Sequence, residues 1–156
     1  MLVKLRARNP VKKATATALI NPVWEELLSI SIDAIGGDHF HDHLIFALRK
    51  LAPIDHSVVF SYYREEIPLC LAHTYSAKQQ VIFVDDYVRG PYLLDPFFKA
   101  STRHVTCGLY RLRDIAPDRF YQSEYYRSYY VRTGLAEEIC YLFYLPEGPA
   151  AVISLM

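Results

Sequence analysis

The sequence predicts an α+β domain, a mainly antiparallel sheet covered by helices. Three observations predict it. Apolar residues recur at helical spacing ahead of Pro53, and the pattern switches to alternation at His56. Paired strand-like runs then flank an irregular, partly helical middle: 57–64 with 67–75, and 137–145 with 150–156. At 156 residues the chain makes one domain with room for a substantial core.

Composition narrows the classes of function. Apolar residues make up 52% and charged ones 22%, an ordinary globular balance. Lys+Arg and Asp+Glu both number 17, so the whole chain lacks the basic excess of a nucleic-acid binder. The excess is aromatic, with 13 Tyr and 8 Phe against 1 Trp. The 3 cysteines show no paired spacing, which fits a reducing compartment and argues against a disulfide framework. No apolar run approaches the ~20 residues of a membrane span, so a cytoplasmic protein with no membrane partner is expected.

Residues 1–20 read as a basic N-terminal extension, with Lys4, Arg6, Arg8, Lys12 and Lys13 and no acid before Glu25. The domain proper is expected over 21–156. Asn21-Pro22 starts a helix in which Trp24, Leu27, Leu28, Ile32 and Ile35 keep helical spacing until Gly36-Gly37. Asp38 reads as the cap of a second helix, with Phe40, Leu44, Leu48 and Leu51 as its apolar stripe and Pro53 at its end. His39 and His43 share a face of that helix and His41 does not, so the trio makes a poor metal site. The runs 57–64 and 67–75 form a hairpin, in which Cys70 is small core filler.

The run 81–87 reads as either a short strand or the start of a helix. A helix begins at Pro96, 109–115 is a connector with some strand character, and Ser123 and Gly134 bound a helix over 124–133. On that helix Tyr126, Tyr129, Tyr130 and Thr133 lie along one side and Tyr125 flanks them. His104 and Cys107 come without a legible orienting acid or oxyanion framework, so no catalytic pair is read there. The resulting order of elements is that of GAF or PAS sensory domains.

The stretch 85–98 stands apart, because tyrosines and phenylalanines crowd around one interior carboxylate, Asp95, between Gly90, Pro91 and Pro96. Asp95 reads in two ways. It can cap the helix starting at Pro96, or it can anchor a ligand in an aromatic cavity, where apolar walls supply affinity and polar groups orientation. Tyrosine suits such a wall, since it offers a hydroxyl on an apolar ring.

The chain resembles the N-terminal sensory domain of LuxR-type helix-turn-helix transcriptional regulators, from about Pro22 to Met156. The resemblance rests on Gly90-Pro91-Tyr92-Leu93-Leu94-Asp95-Pro96-Phe97, on Ala116-Pro117-Asp118-Arg119-Phe120, on Ser123-Glu124-Tyr125-Tyr126 with Tyr129-Tyr130, and on Gly134-Leu135-Ala136-Glu137-Glu138. It implies a GAF-like α/β/α sandwich that detects a small molecule, of the acyl-homoserine-lactone kind in the better-known members, and passes the signal to DNA through a helix-turn-helix domain. In those members an Asp before Pro accepts the ligand's amide N–H, a role that would fall on Asp95, with Tyr87 and Tyr92 as walls. The candidate ligand-binding set is Asp95, Tyr92, Tyr87, Tyr62, Phe97, Tyr126 and Tyr130. Two departures are visible: the one tryptophan, Trp24, sits in the first helix, and Glu137 stands where relatives often have Asp. Such regulators usually continue beyond the point where this sequence stops, so a truncated or stand-alone sensory fragment is expected.

The reading predicts a homodimer with no cofactor and no catalytic chemistry. Its cavity, a few hundred Å3 beside Asp95, would lie between the sheet and the helices carrying the two aromatic blocks. A ligand-free dimerisation module with a filled interior is the alternative, and a small Cys/His or metal hydrolase is a third.

Overall fold

The computed structural model describes residues 22–64, 66–146 and 148–156. The basic extension over 1–20 and the Asn21 cap lie outside these residues, as does the side chain of Trp24. Two helices come first, α1 (Pro22–Asp33) and α2 (Phe40–Leu51). His39, not Asp38, is the N-cap of α2, and it makes no side-chain capping bond. The helix starts at Phe40, the first residue of the apolar stripe, which places Asp38 one residue too early to be its cap.

The hairpin follows as β1 (Ser57–Tyr62) and β2 (Leu69–His73). Next come α3 (Ala77–Gln80), opened by a Ser76–Gln79 capping box, and a π-helical turn, Val81–Asp86, that continues it. The ambiguous 81–87 run is therefore helical. Gly90 then takes φ +154, a value L side chains rarely adopt, and turns the chain into a 3-10 segment, Pro91–Leu94. Helix α4 (Pro96–Thr102) follows directly. The 109–115 connector divides into β3 (Gly108–Arg111) and α5 (Leu112–Ile115).

The second aromatic block is helical as expected. Ser123 accepts the Tyr126 N–H, a π-helical turn spans Tyr126–Tyr130, and α6 (Val131–Thr133) ends at Gly134 with φ +70. Strands β4 (Ile139–Tyr144) and β5 (Ala150–Leu155) close the chain. The strands form one five-stranded antiparallel sheet in the order β2-β1-β5-β4-β3, so the last strand lies at the centre, between β1 and β4.

Alternation along the strands separates two cores. Val58, Phe60 and Tyr62 of β1, Cys140 and Leu142 of β4 and Ala150 and Val152 of β5 face the aromatic segments between residues 75 and 130. Val59 and Ile153 face the other way, onto Ile45 of α2 with Leu44 and Leu48 beside it. Each fully buried aliphatic or Phe side chain here contributes about 1.5–3 kcal/mol. No described helix is long and apolar enough to cross a membrane.

Candidate functional site

Asp95 is held at the junction of two helical segments. Its backbone is extended and Pro96 occupies the first turn of α4, so its carboxylate is placed to cap that helix. Oδ1 accepts the Phe97 N–H at 2.8 Å. Oδ2 accepts the Tyr87 hydroxyl at 2.6 Å. The Tyr87 proton is thus committed to Asp95, and the Tyr62 hydroxyl donates to the Tyr87 oxygen at 2.7 Å. The residue is 6% exposed, and its carboxylate lines a hollow beneath the sheet. Capping and inward orientation, which the sequence presents as alternatives, are met by the two oxygens of one side chain.

Aromatic rings close around this chain of hydroxyls. Tyr87 lies 4.9 Å from Phe60 and 5.7 Å from Tyr129 between ring centres, and its edge meets Tyr92. Tyr125 stacks obliquely on Tyr129 at 5.5 Å. Such pairs add modestly to the area they bury. Together they leave a hollow of only about 30 Å3, well below the few hundred Å3 of a small-molecule pocket. The few hundred Å3 expected beside Asp95 is corrected to this: the Tyr62–Tyr87–Asp95 hydrogen bonds draw the rings inward.

Glu138, just ahead of β4, lines the same hollow. Burial pushes Asp95 up to about 6 against the hydrogen bonds from Tyr87 and Phe97, which pull it down. Burial first, and then the charge of Asp95, push Glu138 up to about 8, with the Ser154 hydroxyl opposing. Near neutral pH the pair therefore retains a proton. Burial likewise raises the Tyr62, Tyr87 and Tyr125 hydroxyls well above the usual tyrosine value, so they act as neutral donors and acceptors.

Of the predicted set, Asp95, Tyr87, Tyr62 and Tyr130 come together on the wall of the hollow. Phe97 is 1% exposed in the core beside it, and Tyr92 is buried edge-on to Tyr87 and Phe98. Tyr126 is half-buried and lines an outer cleft of about 620 Å3, which also has Tyr130 and Leu135 in its wall. A second outer cleft, of about 570 Å3, runs past Lys99, Arg103 and Phe120 to Tyr125. Tyr125 thus faces both the hollow and that cleft.

Sequence reasoning missed Glu138 as a wall residue; Tyr125 and Tyr129 it placed on the tyrosine-bearing helix but left out of the candidate set. The two-residue period of β4 was the available signal, because Cys140 and Leu142 point into this core and Glu138 continues their face. His39 and His43 are exposed on α2, and His104 and Cys107 are exposed as well. No group of three or more His, Cys, Asp or Glu residues placed for a metal ion occurs among the described residues.

No family model matches the chain, and no curated protein does. Among solved structures it is similar to the LBD domain of VqsR from Pseudomonas aeruginosa. The two are 27% identical, the match covers 86% of this chain and 80% of that one, and the TM-score is 0.72. It is also similar to CepR2 from Burkholderia cenocepacia, an N-acylhomoserine-lactone-dependent LuxR family transcription factor. There the identity is 13%, the match covers 86% of this chain and 76% of that one, and the TM-score is 0.61, a likeness of fold.

Proposed function

We infer that the chain is the small-molecule signal-sensing domain of a LuxR-type transcriptional regulator. Its fold is that of the LuxR-type sensory domain. The observation that carries the reading is Asp95, a buried carboxylate inside a tyrosine-walled hollow, tied to the wall by a hydrogen bond that a ligand can replace.

The small volume gives the mechanism its form. A drug-sized ligand needs on the order of 300–1,000 Å3, so it enters only by parting the rings. Parting them means breaking the Tyr62–Tyr87–Asp95 chain and shifting the 81–94 segment, the 124–133 helix, or both. A ligand that binds only the opened arrangement shifts the population toward it, and the shift is the signal. A donor group on the ligand, such as the amide N–H of an acyl-homoserine-lactone-like molecule, takes the place of the Tyr87 hydroxyl on Asp95. The output is a change in homodimerisation or in an attached helix-turn-helix, through which alone the protein reaches DNA. No catalytic step belongs to this reading.

One observation favours a second reading. At about 30 Å3 the interior is nearly filled, as a ligand-free dimerisation module would have it. Thermal-shift titration of the purified chain with N-hexanoyl homoserine lactone, hexanamide and hexylamine separates the two. The sensory reading expects at least one probe to raise Tm in the wild type and to lose its effect in Asp95→Asn. If no probe moves Tm while the Tm rises with protein concentration, the module replaces the sensor.

A further inference from the structure

A lone carboxylate would suffice to accept one amide N–H, yet this hollow is walled by two carboxyls. Glu138 joins Asp95 there. A third polar group is also without a counterpart. Tyr130 is 3% exposed, lines the hollow, and its hydroxyl has no hydrogen-bond partner among the described residues. No lysine, arginine or histidine stands among the residues lining the hollow, so no cation on the wall balances the carboxyls. The rest of the wall is largely aromatic, including Phe60, Tyr75, Phe83 and Tyr129.

We propose that the hollow selects a ligand with a basic nitrogen, a primary or secondary amine on an apolar body, held as its ammonium between Asp95, Glu138 and the Tyr130 hydroxyl. The proposal names the ligand class of the sensory site and rests on that reading. An ammonium group brings two or three donors and no acceptor, which is the complement of this wall. Both Asp95 oxygens already accept one bond, and each has a lone pair left. A secondary amide brings one N–H for two carboxyls; its carbonyl can accept the Tyr130 hydroxyl but offers neither carboxyl a second donor. The faces of the surrounding rings attract a cation as well, most strongly where water is excluded.

Size and exit agree with this. A space of about 30 Å3 takes a nitrogen head without a large opening. Tyr130 and Leu135 line both the hollow and the outer cleft of about 620 Å3, so an alkyl body has a route past them.

The test is isothermal titration of the purified chain with hexylamine, hexan-1-ol and N-hexanoyl homoserine lactone at one ionic strength. Hexylamine is expected to bind at least about tenfold more tightly than hexan-1-ol, since charge-assisted bonds and ring faces act on the ammonium alone. That advantage should vanish in Glu138→Gln and shrink several-fold in Tyr130→Phe. The second variant keeps the ring and removes only an unpaired hydroxyl, so it serves even if the first fails to fold. If the lactone binds while hexylamine is no tighter than hexan-1-ol, the amine proposal is overturned and the sensory reading stands. If the amine advantage survives in both variants, the amine sits elsewhere and the proposal is equally overturned. Binding of none of the three overturns the proposal together with the sensory reading.

Discussion

On one face of the sheet Val59 and Ile153 meet Ile45, Leu44 and Leu48, and side-chain hydrogen bonding has no part in the contact. On the other face, the same strands direct Phe60 and Tyr62 into an aromatic cluster through which hydrogen bonds run from Tyr62 to Tyr87 to Asp95. The first face holds α2 in place by area alone. The second leans on the Tyr62–Tyr87–Asp95 bonds as well, since leaving one of these buried groups unpaired costs about 1–3 kcal/mol. The difference teaches where a ligand can act. A molecule that supplies replacement partners can open the tyrosine face at little cost, whereas nothing polar competes for the aliphatic one.

Perturbing each face in turn tests that contrast. The largest effect is expected from Ile153→Ala, which leaves a cavity under α2 and should cost about 2–5 kcal/mol in urea unfolding. It should leave the affinity for any probe bound by the wild type unchanged, and a large loss of affinity would erase the distinction between the faces. Asp95→Ala comes next. It removes a helix cap and strands the Tyr87 hydroxyl, for about 2–3 kcal/mol together, and it should abolish probe binding. A variant of full stability would show that these bonds do not hold the hollow closed. Tyr87→Phe keeps the ring and should cost about 1 kcal/mol, as Asp95 loses one donor and Tyr62 its acceptor. Slower amide exchange over 81–94 in this variant would contradict the proposed closure.

A pH change is the mildest perturbation, because it removes no atom. Asp95 and Glu138 both titrate above their unfolded values of 3.8 and 4.5. The folded chain therefore binds more protons than the unfolded one between about 4 and 8. Their contribution to stability is complete below that window and is lost as pH rises through it. The urea midpoint should accordingly be higher at pH 5 than at pH 8, with the difference reduced in Glu138→Gln. An opposite slope would mean that ionised carboxylates, and not a retained proton, are what the tyrosine face accommodates.

Much of this arrangement was legible beforehand. The strand pairs, the helix at Pro96, and the Ser123 and Gly134 boundaries follow from local chemistry, since caps and alternation depend on neighbours in sequence. Asp95 stood out for the same reason, as a carboxylate before proline amid aromatics. Glu138 did not: it falls within the run 137–145 read as a strand, and which face it takes is fixed only once the strand's phase against the core is known. The π-helical turns at Val81–Asp86 and Tyr126–Tyr130 were also illegible. An extra residue in a turn is tolerated for the sake of distant packing, and local propensity carries no trace of it.

By itself, then, the amino-acid order determined which segments are strands and helices, which side chains are apolar, and that a carboxylate sits among tyrosines. Only the tertiary structure decided that the hollow is small, that Tyr87 holds Asp95, and that a second carboxyl shares the space. Secondary structure answers to contacts a few residues apart, which a sequence displays. The volume of an interior is a small difference between large packed volumes from segments as distant as Tyr62 and Glu138, and it exists only once they have met.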